Sequence, residues 1–70
     1  MECNFYNNKI KELRIEKGLS QRELAKQTGI KQANISRWEA GQVVPNVIDV
    51  WTLANFFDCS IDYLVGKDPF

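Results

Sequence analysis

Seventy residues with 44% hydrophobic and 26% charged content read as a single folded domain spanning residues 1–70, with a compact core, because a chain of this size buries only about 60% of the surface its unfolded form exposes. Nine basic and nine acidic side chains give zero formal charge, and there is no histidine, so the total charge by itself argues against a nucleic-acid partner. There is no low-complexity run, no apolar stretch near the roughly 20 residues of a membrane span and no signal-peptide core in MECNFYNNK, so the expectation is a soluble, cytoplasmic protein without a membrane partner.

The first helix is expected over about residues 7–17, where Ile10, Leu13 and Arg14 fall at i, i+3 and i+4 and Gly18 suits the stop. Arg14 thus lies on an apolar face and needs a partner. Ser20 followed three residues later by Glu23 has the form of a capping box and opens a second helix. This helix turns Leu24, Ala25 and Thr28 inward and ends at Gly29, which tolerates the left-handed backbone of a tight reversal. A third helix, residues 32–40, places Ile35 and Trp38 on one face with Glu39 beside them, while Ala33, Ser36, Arg37 and Ala40 point outward.

Pro45 marks a break and Asn46 a cap for a fourth helix, VIDVWTLANFFD, whose apolar arc of Val47, Val50, Trp51, Leu53, Ala54 and Phe57 is expected to face the core. Ser60 caps a short fifth helix, IDYLV, with Asp62 in its first turn and Gly66 at its end. No period-2 alternation of useful length is present. The fold expected is therefore all-α, with five helices and no sheet.

Cys3 and Cys59 lack CxxC spacing, and without histidine a zinc site loses its usual ligands. No metal or other cofactor is expected, and both cysteines read as free thiols, with Cys59 a small core residue. No nucleophile-base pair or phosphate-cradling glycine loop is present, so the chain is not expected to be an enzyme. Charge is unevenly placed: eight cations face five acids through Ile48, a net +3, whereas Lys67 alone faces Asp49, Asp58, Asp62 and Asp68 beyond it, a net −3. A polyanion would meet the first two thirds.

Ala25 and Gly29 four apart, then Ile35 six further on and Trp38, form the skeleton of a helix-turn-helix, which other αα corners mimic in part. With ELRIEKGLSQRELAKQTGI, KQANISRWEAG, the break at Pro45 and LANFFDCSIDYLVG, the chain resembles the XRE, or Cro/phage-repressor type, family of helix-turn-helix DNA-binding domains over about residues 9–66. That resemblance implies a compact lambda-repressor-like domain whose third helix lies in the major groove of double-stranded DNA. Gln32, Ala33 and Arg37 would then be the base readers, and their chemistry suits adenine, a thymine methyl and guanine respectively.

Lys31, Asn34 and Ser36 are flanking candidates for base or phosphate. The resemblance implies that Gln21 bonds a backbone phosphate and that Arg14 pairs with Glu39; Arg22 is either a DNA contact or merely solvated. The same outer face on an isolated helix would be an ordinary solvated surface. GQVVPN, residues 41–46, departs from relatives that carry lysine or arginine there, which implies modest affinity and a shallow salt dependence.

Ile48 and Phe56 fall in the polar arc of the fourth helix, and with Tyr63, Val65 and Phe70 they are candidates for a homodimer patch serving a palindromic operator. Alternatively, Phe70 folds back over the core. The function expected is a sequence-specific transcriptional regulator, a repressor occupying its site. The rival is a protein-interaction module, antitoxin-like, whose patch on the last two helices binds a partner protein.

Overall fold

The computed structural model describes residues 8–66. It contains α1 (Ile10–Glu16), α2 (Gln21–Thr28), α3 (Gln32–Glu39), α4 (Val47–Phe57) and α5 (Ile61–Leu64), with no strand among the described residues.

Local chemistry sets most helix starts. The capping box of α2 is complete: Ser20 Oγ accepts from the Glu23 amide at 3.0 Å, and the Ser20 amide donates to Glu23 Oε1 at 2.8 Å. Asn46 Oδ1 accepts from the Asp49 amide at 2.8 Å and Ser60 Oγ from the Tyr63 amide at 3.0 Å, so α4 and α5 begin where their capping residues put them. The first helix starts at Ile10, later than its periodicity suggests, because Asn8 Oδ1 takes the Ile10 amide at 3.1 Å and the Lys9 amide is spent on the Leu64 carbonyl at 2.8 Å. The start of α1 is thereby tied to the end of α5.

Each helix contributes to one core: Ile10, Leu24, Ile30, Ile35, Trp38, Val50, Leu53, Ala54, Phe57 and Leu64 are buried, and none of the buried residues is polar. Leu13, Leu19, Ala25, Phe56, Cys59 and Val65 pack against it partly buried. Helix α2 packs on α3, α4 on α5, α1 on α3 and α2 on α4.

The broad inward arc expected of α4 is corrected here. Val50, Leu53, Ala54 and Phe57 are buried, a stripe at i, i+3, i+4 and i+7, but Val47 is 74% and Trp51 61% exposed. A domain this small covers only one stripe of its longest helix, and the residues flanking that stripe remain in water.

Candidate functional site

The two helices joined by Gly29 form the site. Gly29 has φ of +79° and its amide donates to the Ala25 carbonyl at 2.9 Å, closing α2. Thr28 Oγ1 donates to the Leu24 carbonyl at 2.8 Å and accepts from the Ile30 amide at 3.3 Å, so the chain is clipped on both sides of the turn. A Cβ at Gly29 would meet nothing within 4 Å; glycine is required there by backbone conformation and not by space. Ile30 then drops into the core and α3 starts two residues later.

Helix α3 is fixed through one face and through its C-terminal end. Ile35 and Trp38 are buried. Arg14 Nε and Nη2 donate to Glu39 Oε2 and Oε1 at 2.7 and 3.1 Å, a two-pronged ion pair whose side chains are only 12% and 5% exposed. The remaining Arg14 nitrogen, Nη1, donates to the Leu19 carbonyl at 2.8 Å, and Gln21 Nε2 donates to Glu39 Oε1 at 3.0 Å. One carboxylate thereby gathers α1, α2 and α3, and its bond raises the Arg14 pKa above the ordinary value.

Asn8 adds a tie that sequence reasoning missed, donating from Nδ2 to the Trp38 carbonyl at 2.9 Å. The partners are 30 residues apart and the acceptor is backbone, so no side-chain pattern announces the contact. After α3 the amides of Gly41 and Gln42 donate to the carbonyls of Trp38 and Arg37, both at 3.0 Å, and the loop leaves at a fixed angle.

The opposite face is largely exposed among the described residues. Lys31, Gln32, Ala33, Ser36 and Arg37 are exposed, and the side chains of Gln32, Ser36 and Arg37 bond to no other described residue. Asn34 is half-buried at its edge. Lys31 stands at the N-cap of α3 without a side-chain hydrogen bond, whereas Ser20, Asn46 and Ser60 cap their helices; the Asn34 amide donates instead to the Lys31 carbonyl at 3.0 Å, and the first turn of α3, the positive end of its dipole, has no side-chain cap.

Charge follows the same division. Exposed Arg22, Lys26, Lys31 and Arg37, from α2 through the turn into α3, are opposed only by exposed Glu23, because Glu39 is consumed by Arg14, while residues 41–66 carry Asp49, Asp58 and Asp62 and no cation.

The remaining expected residues are more dispersed. Ile48 is 67% exposed, but Phe56, Tyr63 and Val65 are half-buried. The Phe56 ring is covered by Lys17 at 5.4 Å and the Tyr63 ring by Lys9 at 5.9 Å, each a cation over an aromatic face. Phe70 and Cys3 lie outside the described residues, and Cys59 is a free thiol whose pKa is raised by burial and by Asp58. Among the described residues no three His, Cys, Asp or Glu side chains gather into a metal site, and no helix is long and apolar enough to cross a membrane.

Two packed helices joined at a left-handed glycine, the second anchored through its inner face, define a helix-turn-helix domain. The chain belongs to the helix-turn-helix family HTH_3, whose model matches residues 10–64. It is 37% identical over 63 residues to the HTH-type transcriptional activator BcrR of Enterococcus faecalis, covering 90% of this chain and 31% of that protein. To the HTH-type transcriptional regulator ImmR of Bacillus subtilis (strain 168) it is 35% identical over 60 residues, covering 86% and 47%. The chain thus spans less than half the length of these relatives.

Among solved structures, an HTH_3 family transcriptional regulator from Vibrio cholerae superposes with a TM-score of 0.75 at 29% identity, covering 94% of this chain and 37% of that one. The restriction-modification controller protein C.AhdI from Aeromonas hydrophila superposes with a TM-score of 0.74, also at 29% identity, covering 89% and 94%.

Proposed function

We propose that α3 enters the major groove of double-stranded DNA and that the chain regulates transcription by occupying a palindromic operator as a pair of copies. The observation that carries this reading is the bare outer face of α3, with Gln32, Ser36 and Arg37 unengaged on a helix held rigidly from behind. Gln32 and Arg37 carry donors suited to adenine and to guanine O6 and N7, and Ala33 offers a methyl to thymine. Lys31, Asn34, Ser36 and Arg22 flank them and reach toward phosphates. Gln21 Nε2 has a second hydrogen beyond the one given to Glu39, so it bonds a phosphate oxygen while holding the ion pair.

Occupation of a site that overlaps a promoter excludes polymerase and represses, which is the role assigned here, in the cytoplasm where the DNA lies. The first turn of α3, which has no side-chain cap, supports close approach of an anionic backbone.

The test is a gel shift with duplexes selected by the protein from a randomised pool, run at two salt concentrations with Arg37→Ala and Gln32→Ala alongside the wild type. Arg37→Ala is expected to cost about 1–3 kcal/mol of discrimination at one base pair, with thermal stability unchanged. No site-selective retention of any duplex at low salt overturns the reading. A reporter placed downstream of the selected site reads the sign of regulation, with a fall in output expected.

A further inference from the structure

Asn8 and Lys9, just ahead of α1, hold the ends of two different helices. Asn8 Nδ2 donates to the Trp38 carbonyl in the last turn of α3 at 2.9 Å, while the Lys9 amide donates to the Leu64 carbonyl at the end of α5 at 2.8 Å. The base of this arm is itself fixed: Asn8 Oδ1 accepts from the Ile10 amide at 3.1 Å, Ile10 and Leu64 are fully buried, and the Lys9 ammonium lies 5.9 Å from the centre of the Tyr63 ring. Asn8 is therefore a short strut that stands on α1 and α5 and reaches α3.

We infer that Asn8 is a positioning residue for DNA reading, and that its tie to the Trp38 carbonyl sets the tilt of α3 against the rest of the domain. The inference rests on the reading above that α3 enters the major groove.

The other attachments of α3 leave this tilt to be fixed. Arg14 and Gln21 both reach α3 through a single side chain, the Glu39 carboxylate, which turns about its own torsions. Ile35 and Trp38 bury one face, and apolar contact is not directional. Asn8 instead bonds the main chain of α3, so a shift of its partner is a shift of the helix axis. With Arg14 six residues further along, α1 holds the end of α3 at two points, and two points fix a direction where one leaves a pivot.

The length of α3 turns a small tilt into a large displacement. Gln32 and Glu39 stand at its two ends, about 10 Å apart along the axis. A rotation of about 10° around the Glu39 end moves Gln32 by nearly 2 Å, whereas a contact to a base edge tolerates about 0.5 Å. Arg37, close to the anchored end, moves roughly a quarter as far. Loss of the tie is therefore felt most at the base pair that Gln32 reads.

The effect also has a ceiling. A contact can bias the position of α3 by no more than its own net worth, and one neutral hydrogen bond amounts to about five- to tenfold in an equilibrium. The cost to folding is bounded in the same way, because the Trp38 carbonyl keeps the Gly41 amide at 3.0 Å and is not left orphaned.

The experiment compares wild type with Asn8→Ser and Asn8→Asp, with circular dichroism to check that each folds. Both variants keep an oxygen for the Ile10 amide and lose the donor to Trp38: the serine hydroxyl lies one bond nearer the backbone, and the aspartate carries a second acceptor in place of the NH2 group. An anion at the start of α1 also suits the helix dipole. One readout is the ratio of affinities for the selected duplex and for duplexes changed at a single base pair, in which the added charge cancels because every duplex carries the same phosphates. The other is amide hydrogen exchange in the free protein at Ala40, Gly41 and Gln42, whose amides close the end of α3.

Both variants are expected to lose about fivefold in discrimination at the Gln32 base pair and less than about twofold at that of Arg37, and to exchange about fivefold faster at the three amides while α2 and α4 keep wild-type protection. Wild-type discrimination in both variants overturns the inference, even with faster exchange, since the tie would then hold the helix without aiding the reading. So does Asn8→Asp matching wild type where Asn8→Ser does not, which reduces Asn8 to a cap for α1. A wild type that selects no duplex sinks the DNA reading alone; faster exchange at the three amides in both variants then still supports the tie that fixes α3, and unchanged exchange overturns it.

Discussion

Glu39 is the residue on which the orientation of α3 turns. Its carboxylate accepts from both Arg14 and Gln21, and Arg14 has no other carboxylate partner. Glu39→Ala leaves a guanidinium with little exposure and only the Leu19 carbonyl to satisfy it, so a loss of about 3–5 kcal/mol is expected in urea unfolding. An unchanged midpoint combined with an altered base preference would show that Glu39 reads DNA instead of holding the helix. The pairing was legible because a cation on an apolar face and an acid beside a core tryptophan each demand compensation, and the family resemblance joined them. Asn8 was not legible, since its acceptor is a main-chain carbonyl 30 positions away. Only the assembled fold brings the two together.

At the scale of the helix, α2 carries a titratable switch on its own stability. Hydrogen bonds from the Ser20 amide and hydroxyl lower the pKa of Glu23 in the folded chain. A carboxylate lowered by folding stabilises above its unfolded pKa, and that contribution is lost as pH falls through the folded one. Stability is therefore expected to drop as the pH descends past the ordinary glutamate range. Glu23→Gln should flatten that acid limb in a series of thermal melts; a limb of unchanged steepness would assign it to other carboxylates.

Caps made the starts of α2, α4 and α5 legible, because Ser20, Asn46 and Ser60 act on amides three residues away, while α1 and α3 were legible from apolar spacing and a following glycine. The orientation of α4 was only half legible. Its sequence is apolar nearly all round, and periodicity names a stripe without saying how much of its width neighbouring helices will cover. Val47 and Trp51 fell on the uncovered side.

For the whole molecule, zero net charge conceals a division between a cationic first two thirds and an acidic end. Four exposed cations from α2 through the turn into α3, offset by Glu23, leave few charges to displace counterions. With about three phosphates neutralised per copy, log K is expected to fall with log salt with a slope of about −3 for each half-site. A filter-binding series across salt concentrations measures it, and a slope near −8 per copy would mean that residues outside α2 and α3 hold the backbone. The uncharged loop after α3 was legible as the cause, since no lysine or arginine stands between Arg37 and Lys67.

The turning of α3 from one face and one end has a consequence for how such a chain changes over generations. Residues 32, 33, 36 and 37 contribute nothing to the core or to the ion pair, so under the proposed DNA reading substitutions there change the address without disturbing the fold. A duplicated gene can acquire a new target in a few single steps, each passing through a stable protein. The Arg14–Glu39 clasp, by contrast, admits no single-step exchange of partners.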